Sequence, residues 1–362
     1  MTAETRLLLV GAGHAHLHLL RQADQLRRAG YVVTLVAPPW FDYSGAAAGV
    51  AVGARDPAVG RIDVARLAQG GVEHRPTRVT RLDADTRAAT CADGEQISWD
   101  VVSLNIGSVA ATPPGLSVHP DVVRVKPLDD LHRLREHVAT HHGGAGLRVS
   151  VVGAGPSGIE LAAQLALVPH VARVTVLESG ASLGAFLPTG AASRLARLLD
   201  HRGVVVRCGV DLVEVGASRA VLRDGTEIVH DVAVLATGLA PPPLATAAPW
   251  GGPGGLPVEA TLQHRDHADV YAAGDCVDFL PGRLARIGVH GVRQGPVLLE
   301  ALLARSAGGP APVYTPPSTS LSILDLGGGT ALAVRGGRWW FGRASLLLKR
   351  AIDRRWLARY RS

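Results

Sequence analysis

The stretch "GAGHAHLHLL", residues 11–20, sets two kinds of chemistry against each other. Gly11 and Gly13 begin a turn of the sort that cradles a diphosphate, whereas His14, His16 and His18 alternate as metal ligands can. A second glycine-rich stretch, "VSVVGAGPSGIELAAQL" (149–165), carries Gly153, Gly155 and Gly158 in a full G-x-G-x-x-G, followed by Glu160. In that spacing the first glycine allows the tight turn and the second lets backbone approach a pyrophosphate. The third lets helix and strand pack closely, while the helix N-terminus supplies N–H donors and the positive end of its dipole.

The elements that must position these residues repeat. "CADGEQISWDVVSLNIGS" (91–108) aligns with "LRDGTEIVHDVAVLATGL" (222–239) at one offset, matching Asp93-Gly94 with Asp224-Gly225, Asp100 with Asp231, Leu104 with Leu235 and Gly107 with Gly238. Each copy reads as a strand, an Asp-Gly hairpin turn, a second strand and an apolar strand ending in glycine. The repeat decides the histidine question. "GAGHAH" follows the buried-looking strand "RLLLV" and precedes a helix, as the second glycine turn does. His14 and His16 fall at the turn and His18 inside the helix, so alternation does not gather them on one face. No metal site is expected, and His14 and His16 are read as lining a cofactor phosphate or flavin edge.

Composition bounds the rest. The 362 residues are 47% hydrophobic and 19% charged, enough for two or three globular domains. Aromatics at 4% argue against a stacking platform for nucleic acid, and no recognition motif for it is present. Three separated cysteines, Cys91, Cys208 and Cys276, form no CxxC or CxxxxC and suit a reducing compartment. No apolar run reaches the ~18 residues of a membrane span, and the first strand starts too early for a signal peptide. A cytoplasmic location is expected. "PAPVYTPPSTS" (310–320) reads as a linker, then a small antiparallel sheet, then the helix "ASLLLKRAIDRRWLARYRS". From Arg335 onward nine residues are Arg or Lys and one, Asp353, is acidic. Leu348, Ile352 and Trp356, with Leu347 and Tyr360, make an apolar stripe flanked by arginines. That pattern suits either an anionic membrane surface on its inner face or docking on the core or a homodimer partner.

Two such units with one inside the other, closed by "HADVYAAGDCVDF" (267–279), resemble the pyridine nucleotide–disulfide oxidoreductase superfamily. The implied fold is α/β: two Rossmann-like domains, the second inserted in the first, plus a small α+β C-terminal piece. The boundaries are 1–120 with 262–312, 121–261, and 313–362. Without CxxxxC, the chain does not resemble the disulfide reductases. "FDYSGAAAGVAVG" (41–53), "VKPLDDL" (125–131) and "GVHGVRQGPVLLEAL" (288–302) resemble type II NADH dehydrogenases, most of all the branch found fused to selenophosphate synthases.

The resemblance implies FAD in the first unit, touching Gly11, Gly13, His14, Ala15, His16, Ser44, Val79, Ile106, Gly107 and Val289. Gly274 and Asp275 would take the ribityl chain. It implies NAD(P)H in the second unit, at Gly153, Gly155, Pro156, Ser157, Gly158, Glu178 and Gly238. Glu178 ends the strand after the glycine turn, where an acid holds ribose hydroxyls and repels a 2′-phosphate, so NADH is favoured over NADPH. The first unit lacks that acid, leaving backbone groups of Ala37 and Pro38 as substitutes. Glu160 is implied near the flavin–nicotinamide contact, with a plain first-turn helix acid as the alternative. His290 would relay a proton to an acceptor and Gln294 would bond its carbonyl, although Val289–Gln294 keep only the last glutamine of the type II quinone pattern A-Q-x-A-x-Q. The implied activity is hydride transfer from NADH to FAD and onward to a quinone-like acceptor. An acceptor or donor that is a specialised metabolite or a sulfur or selenium species, and a flavin redox sensor, remain open.

Overall fold

A computed structural model describes residues 4–140, 144 and 146–361. The strand Thr5–Val10 is apolar on both faces because it sits mid-sheet, with Leu7, Leu8, Leu9 and Val10 all but inaccessible. Around it lies a parallel sheet in the order Val270–Ala272, Val101–Leu104, Thr5–Val10, Tyr31–Val36, Glu73–Arg75. A second parallel sheet repeats that order with Val123–Arg124, Val232–Leu235, Leu147–Val152, Val171–Glu178 and Val205–Cys208. The second unit is inserted in the first, since the chain returns at Val270–Ala272 to pair beside Val101–Leu104.

The internal repeat has a physical basis. Gly94 and Gly225 take positive φ, +89° and +84°, in hairpin turns where Asp93 and Asp224 accept the N–H two residues on. Asp100 grips Arg6 through backbone and guanidinium, and Asp231 grips Arg148 in the same way. Each aspartate thereby fastens its meander to the first strand of its unit. The Arg6 guanidinium holds the Asp100 carboxyl down at about 2.

The C-terminal piece is an antiparallel sheet, Leu321–Asp325, Ala331–Arg335 and Arg338–Gly342, followed by the helix Arg343–Ala358. Leu324, Leu326 and Leu332 join the core of the second unit, while Trp356, Leu357 and Tyr360 join that of the first. This corrects the expected stripe. Trp356 and Tyr360 are buried, whereas Leu347, Leu348 and Ile352 are 55%, 46% and 43% exposed on another side. The helix docks instead through Ser345, Leu346, Lys349, Asp353, Trp356 and Leu357. Among the described residues no helix is long and apolar enough to cross a membrane.

Candidate active site

Around the first glycine turn, one side chain governs the geometry. Asn105, at the end of Val101–Leu104, is buried and accepts at Oδ1 from the amides of Ala15 and His16, at 2.9 and 3.1 Å. Its Nδ2 donates to Ala273 O at 2.6 Å, and its carbonyl accepts from Gly13 N. It therefore caps the helix His14–Arg21 from outside and ties it to the Asp275 segment. A Cβ on Gly11 would stand 2.8 Å from Asn105 O, one on Gly274 2.7 Å from Asn105 Nδ2, and one on Gly13 would collide with the same side chain. These glycines make room for Asn105 as well as for a ligand.

His16 departs from expectation. It is fully buried, its Nδ1 2.6 Å from Gly11 O and its Nε2 2.9 Å from Ser103 Oγ. At the third-glycine position it pins helix to strand and lines neither glycine-turn cleft, and burial lowers its pKa to about 4. His14 is packed edge-on to Phe41 and against Trp356, ring centroids 5.1 and 5.0 Å away. Burial, reinforced by the Lys126 charge, pushes it down to about 3, so it is a neutral imidazole near pH 7. Ala37 also departs: its N–H goes to Arg75 O and its carbonyl accepts from His74. That leaves its backbone donor unable to serve a ribose. Ala15 lies inside the helix, and Ser44 opens a 3-10 turn.

A cleft of about 370 Å³ opens beside this turn, walled by Gly11, Gly13, Pro38, Val79, Ile106 and Gly107. Trp40 is on the wall too, where the sequence offers it either as a cover for adenine or as a packing residue, and Arg78 and Lys126, not singled out from sequence, join it. Burial lowers the Lys126 pKa and the Asp275 charge raises it. Asp275 accepts from Ser108 Oγ at 2.8 Å.

The second cleft, about 360 Å³, is walled by Gly153, Gly155, Glu178 and Gly238. Here the third glycine is obligatory, because a Cβ on Gly158 would overlap the Gly153 carbonyl. Glu178 accepts from Ala154 N at 2.6 Å and Gly180 N at 2.7 Å, which places its carboxylate on the cleft wall. Pro156 and Ser157 form the exposed first turn of the helix Pro156–Leu165, whose N-terminus takes no side-chain cap among the described residues. Gly107, Gly155 and Gly238 each face open space. Both clefts therefore fit a dinucleotide approaching backbone, the second with free helix amides for a diphosphate.

The expected acceptor-side residues divide. Gln294 is 0% exposed, its Oε1 accepting from Gly274 N at 2.6 Å and its Nε2 without a partner among the described residues. It positions the Gly274–Asp275 turn and is not presented to an acceptor. His290 is buried, with Nδ1 2.7 Å from Tyr314 Oη, and burial lowers its pKa. Val289 lines neither dinucleotide cleft. With Tyr43, Arg293, Arg335, Lys349 and Ile352 it lines a third pocket of about 380 Å³, beneath the C-terminal piece.

Glu160 sits where the second unit meets that piece. Its Oε1 accepts from Asp325 N at 2.6 Å, and Asp325 pairs with Arg55 at 2.6 Å. Burial pushes Glu160 up to about 7 against the nearby Lys349 charge. Lys349 itself pairs with Asp353 at 3.1 Å, and Tyr43 Oη donates to Asp353 at 2.9 Å. Sequence reading missed this network because its members lie far apart in the chain. A sequence signal for Asn105 did exist: a polar residue at the strand end, in a unit whose third glycine is missing.

Cys276 is fully buried, and burial raises its thiol to about 12. Among the described residues no group of three or more His, Cys, Asp or Glu is placed to hold a metal.

Two glycine-turn clefts in one chain, built on repeated parallel sheets, define a two-dinucleotide α/β protein. The chain belongs to the pyridine nucleotide-disulphide oxidoreductase family, whose profile matches residues 5–296. Among its relatives, NADH dehydrogenase-like protein Rv1812c of Mycobacterium tuberculosis is 29% identical over 226 residues, 58% of this chain and 56% of that protein. Demethylphylloquinone reductase NdbB of Synechocystis is 25% identical over 223 residues, 58% and 55% of the two chains. The chain thus spans a little over half the length of these relatives. In fold it is similar to NDH2 of Plasmodium falciparum solved with NADH, at a TM-score of 0.80, 14% identity and coverage of 96% and 94%.

Proposed function

We propose that this chain is an NADH-dependent FAD oxidoreductase that reduces a quinone-like two-electron acceptor. The observation that carries the reading is the pair of glycine-turn clefts in one chain, with a third pocket beside the helix Gly288–Ala307. Bound FAD would supply the redox chemistry, NADH + H⁺ + acceptor going to NAD⁺ + reduced acceptor. The chain's own work is binding and orientation. Asp275 and Lys126 hold the flavin side, and Glu178 turns from the glycine loop toward ribose hydroxyls, favouring NADH over NADPH. Glu160, ionising near neutrality, holds or releases a proton at the junction, and His290 with Tyr314 orders the Asp275 side.

The likeness of 41–53, 125–131 and 288–302 to the branch fused to selenophosphate synthases supports a second reading, with a sulfur or selenium species as acceptor. The exposed Leu347, Leu348 and Ile352, flanked by Arg350, Arg354 and Arg355, support docking of the C-terminal helix on an anionic membrane surface.

The test is anaerobic addition of NADH, and separately NADPH, to the flavin-loaded protein while following the flavin absorbance. NADH is expected to bleach it faster, and a quinone to restore it. Flavin that neither nucleotide bleaches would refute the proposal.

A further inference from the structure

The third pocket has an unbalanced charge. Three cationic side chains face it, Arg293, Arg335 and Lys349, and one carboxylate, Asp353. Asp353 is already committed, to Lys349 at 3.1 Å and to Tyr43 Oη at 2.9 Å. Among the described residues Arg293 and Arg335 enter no ion pair. Both guanidiniums belong to exposed residues, and the two share the lining of one pocket of about 380 Å³. The lining also carries apolar side chains, Val289, Leu321, Ile323 and Ile352, beside Thr319 and Ser320.

A neutral, lipophilic ring would bury those guanidiniums against it with no counter-charge, which costs binding energy. A ring bearing an anion satisfies the guanidiniums and the apolar side chains of the lining at once. The planar guanidinium fork matches a carboxylate, sulfonate or phosphate in two hydrogen bonds. Tyr43, on the pocket lining, packs its ring with centroid 6.2 Å from that of His14 on the glycine-turn helix. We infer that this pocket takes a small ring acceptor carrying an anionic group, held by Arg293 and Arg335 with the ring against Val289 and Ile352. The inference rests on the oxidoreductase reading and names its acceptor class. The acceptor gains two electrons and two protons, one proton and both electrons originating in NADH and the other proton in solvent.

The experiment is equilibrium binding to the oxidised, flavin-loaded protein, read by fluorescence quenching. The probes are 1,4-naphthoquinone-2-sulfonate and uncharged 2-methyl-1,4-naphthoquinone. The sulfonate is expected to bind about tenfold tighter, an advantage that shrinks as salt is raised. Arg293→Ala and Arg335→Ala should each weaken it roughly three- to tenfold and leave the neutral probe within about twofold. Arg293→Lys should recover part of the loss, and Arg350→Ala, on the outer side of the C-terminal helix, should cost nothing. Equal affinity for the two probes, or equal losses for both in the arginine variants, would overturn the inference. So would displacement of the sulfonate by phosphatidylglycerol vesicles but not by phosphatidylcholine ones, because the site would then belong to lipid headgroups. Bleaching by NADH is read on the same preparation. If it fails while the sulfonate preference holds, the oxidoreductase reading falls and the anion site stands. If it succeeds while binding ignores the sulfonate, the anion site alone falls.

Discussion

Replacing Glu160 by glutamine tests the junction between the second unit and the C-terminal piece. The Glu160 carboxyl moves from its ordinary 4.5 to about 7 on folding, chiefly through burial. The folded chain then holds the proton more tightly than the unfolded chain. Wherever the native state binds more protons, the free energy of unfolding falls as pH rises. The loss begins near 4.5, where the unfolded carboxyl ionises, and is complete once pH passes about 7, where the folded one does. At about 1.36 kcal/mol per pH unit, the full effect is about 3 kcal/mol, of which about 2.5 kcal/mol falls between pH 5 and pH 8. Glutamine keeps an oxygen for Asp325 N–H and removes the titration. Urea unfolding of wild type and Glu160→Gln at the two pH values reads the difference directly. The variant should gain about 2.5 kcal/mol on wild type between pH 5 and pH 8. Parallel pH dependence in the two proteins would refute both the proton and the enclosure of this group.

Asn105→Ala removes an external helix cap and a buried bond to Ala273, so a loss of about 2–4 kcal/mol in urea unfolding is expected, with easier release of flavin on dilution. Gly158→Ala forces a methyl onto the Gly153 carbonyl; bleaching by NADH should slow at least about tenfold while the flavin spectrum is retained. Lys349→Met strands Asp353 without its cation and should cost about 3 kcal/mol, measured by the same unfolding assay. For the C-terminal helix, Leu348→Ser with Ile352→Ser should lower co-sedimentation with anionic vesicles and leave thermal stability within about 0.5 kcal/mol, since both side chains are exposed.

The repeat was legible because its residues do local work. Asp93-Gly94 and Asp224-Gly225 are turn chemistry, and Asp100 and Asp231 fasten an arginine at the start of the same unit. Gly153, Gly155 and Gly158 announce a cleft because only glycine fits a backbone that close to a carbonyl or a ligand. The histidines were misread in part. A histidine in a glycine's place suggests a ligand contact, yet His16 finds Ser103 and Gly11 within its own unit and vanishes into the core. Which way a turn residue points depends on the strand-end residue opposite it, here Asn105, some ninety positions away. The C-terminal helix shows the same limit. Its apolar and basic residues offer two faces, and the docked one buries the Lys349–Asp353 pair together with Leu346, Trp356 and Leu357.

That choice also bears on the chemistry. The helix puts Ile352 on the lining of the third pocket, and the strand Leu321–Asp325 puts the Asp325 N–H on Glu160. One small appended sheet and helix thus complete a wall of the proposed acceptor site and set the proton affinity of the carboxyl beside it. A chain with the same two clefts and a different tail would keep the nucleotide sites and change the acceptor. On the proposed reading the acceptor would be encoded in the contact between tail and core, with Arg335 from one side and Arg293 from the other.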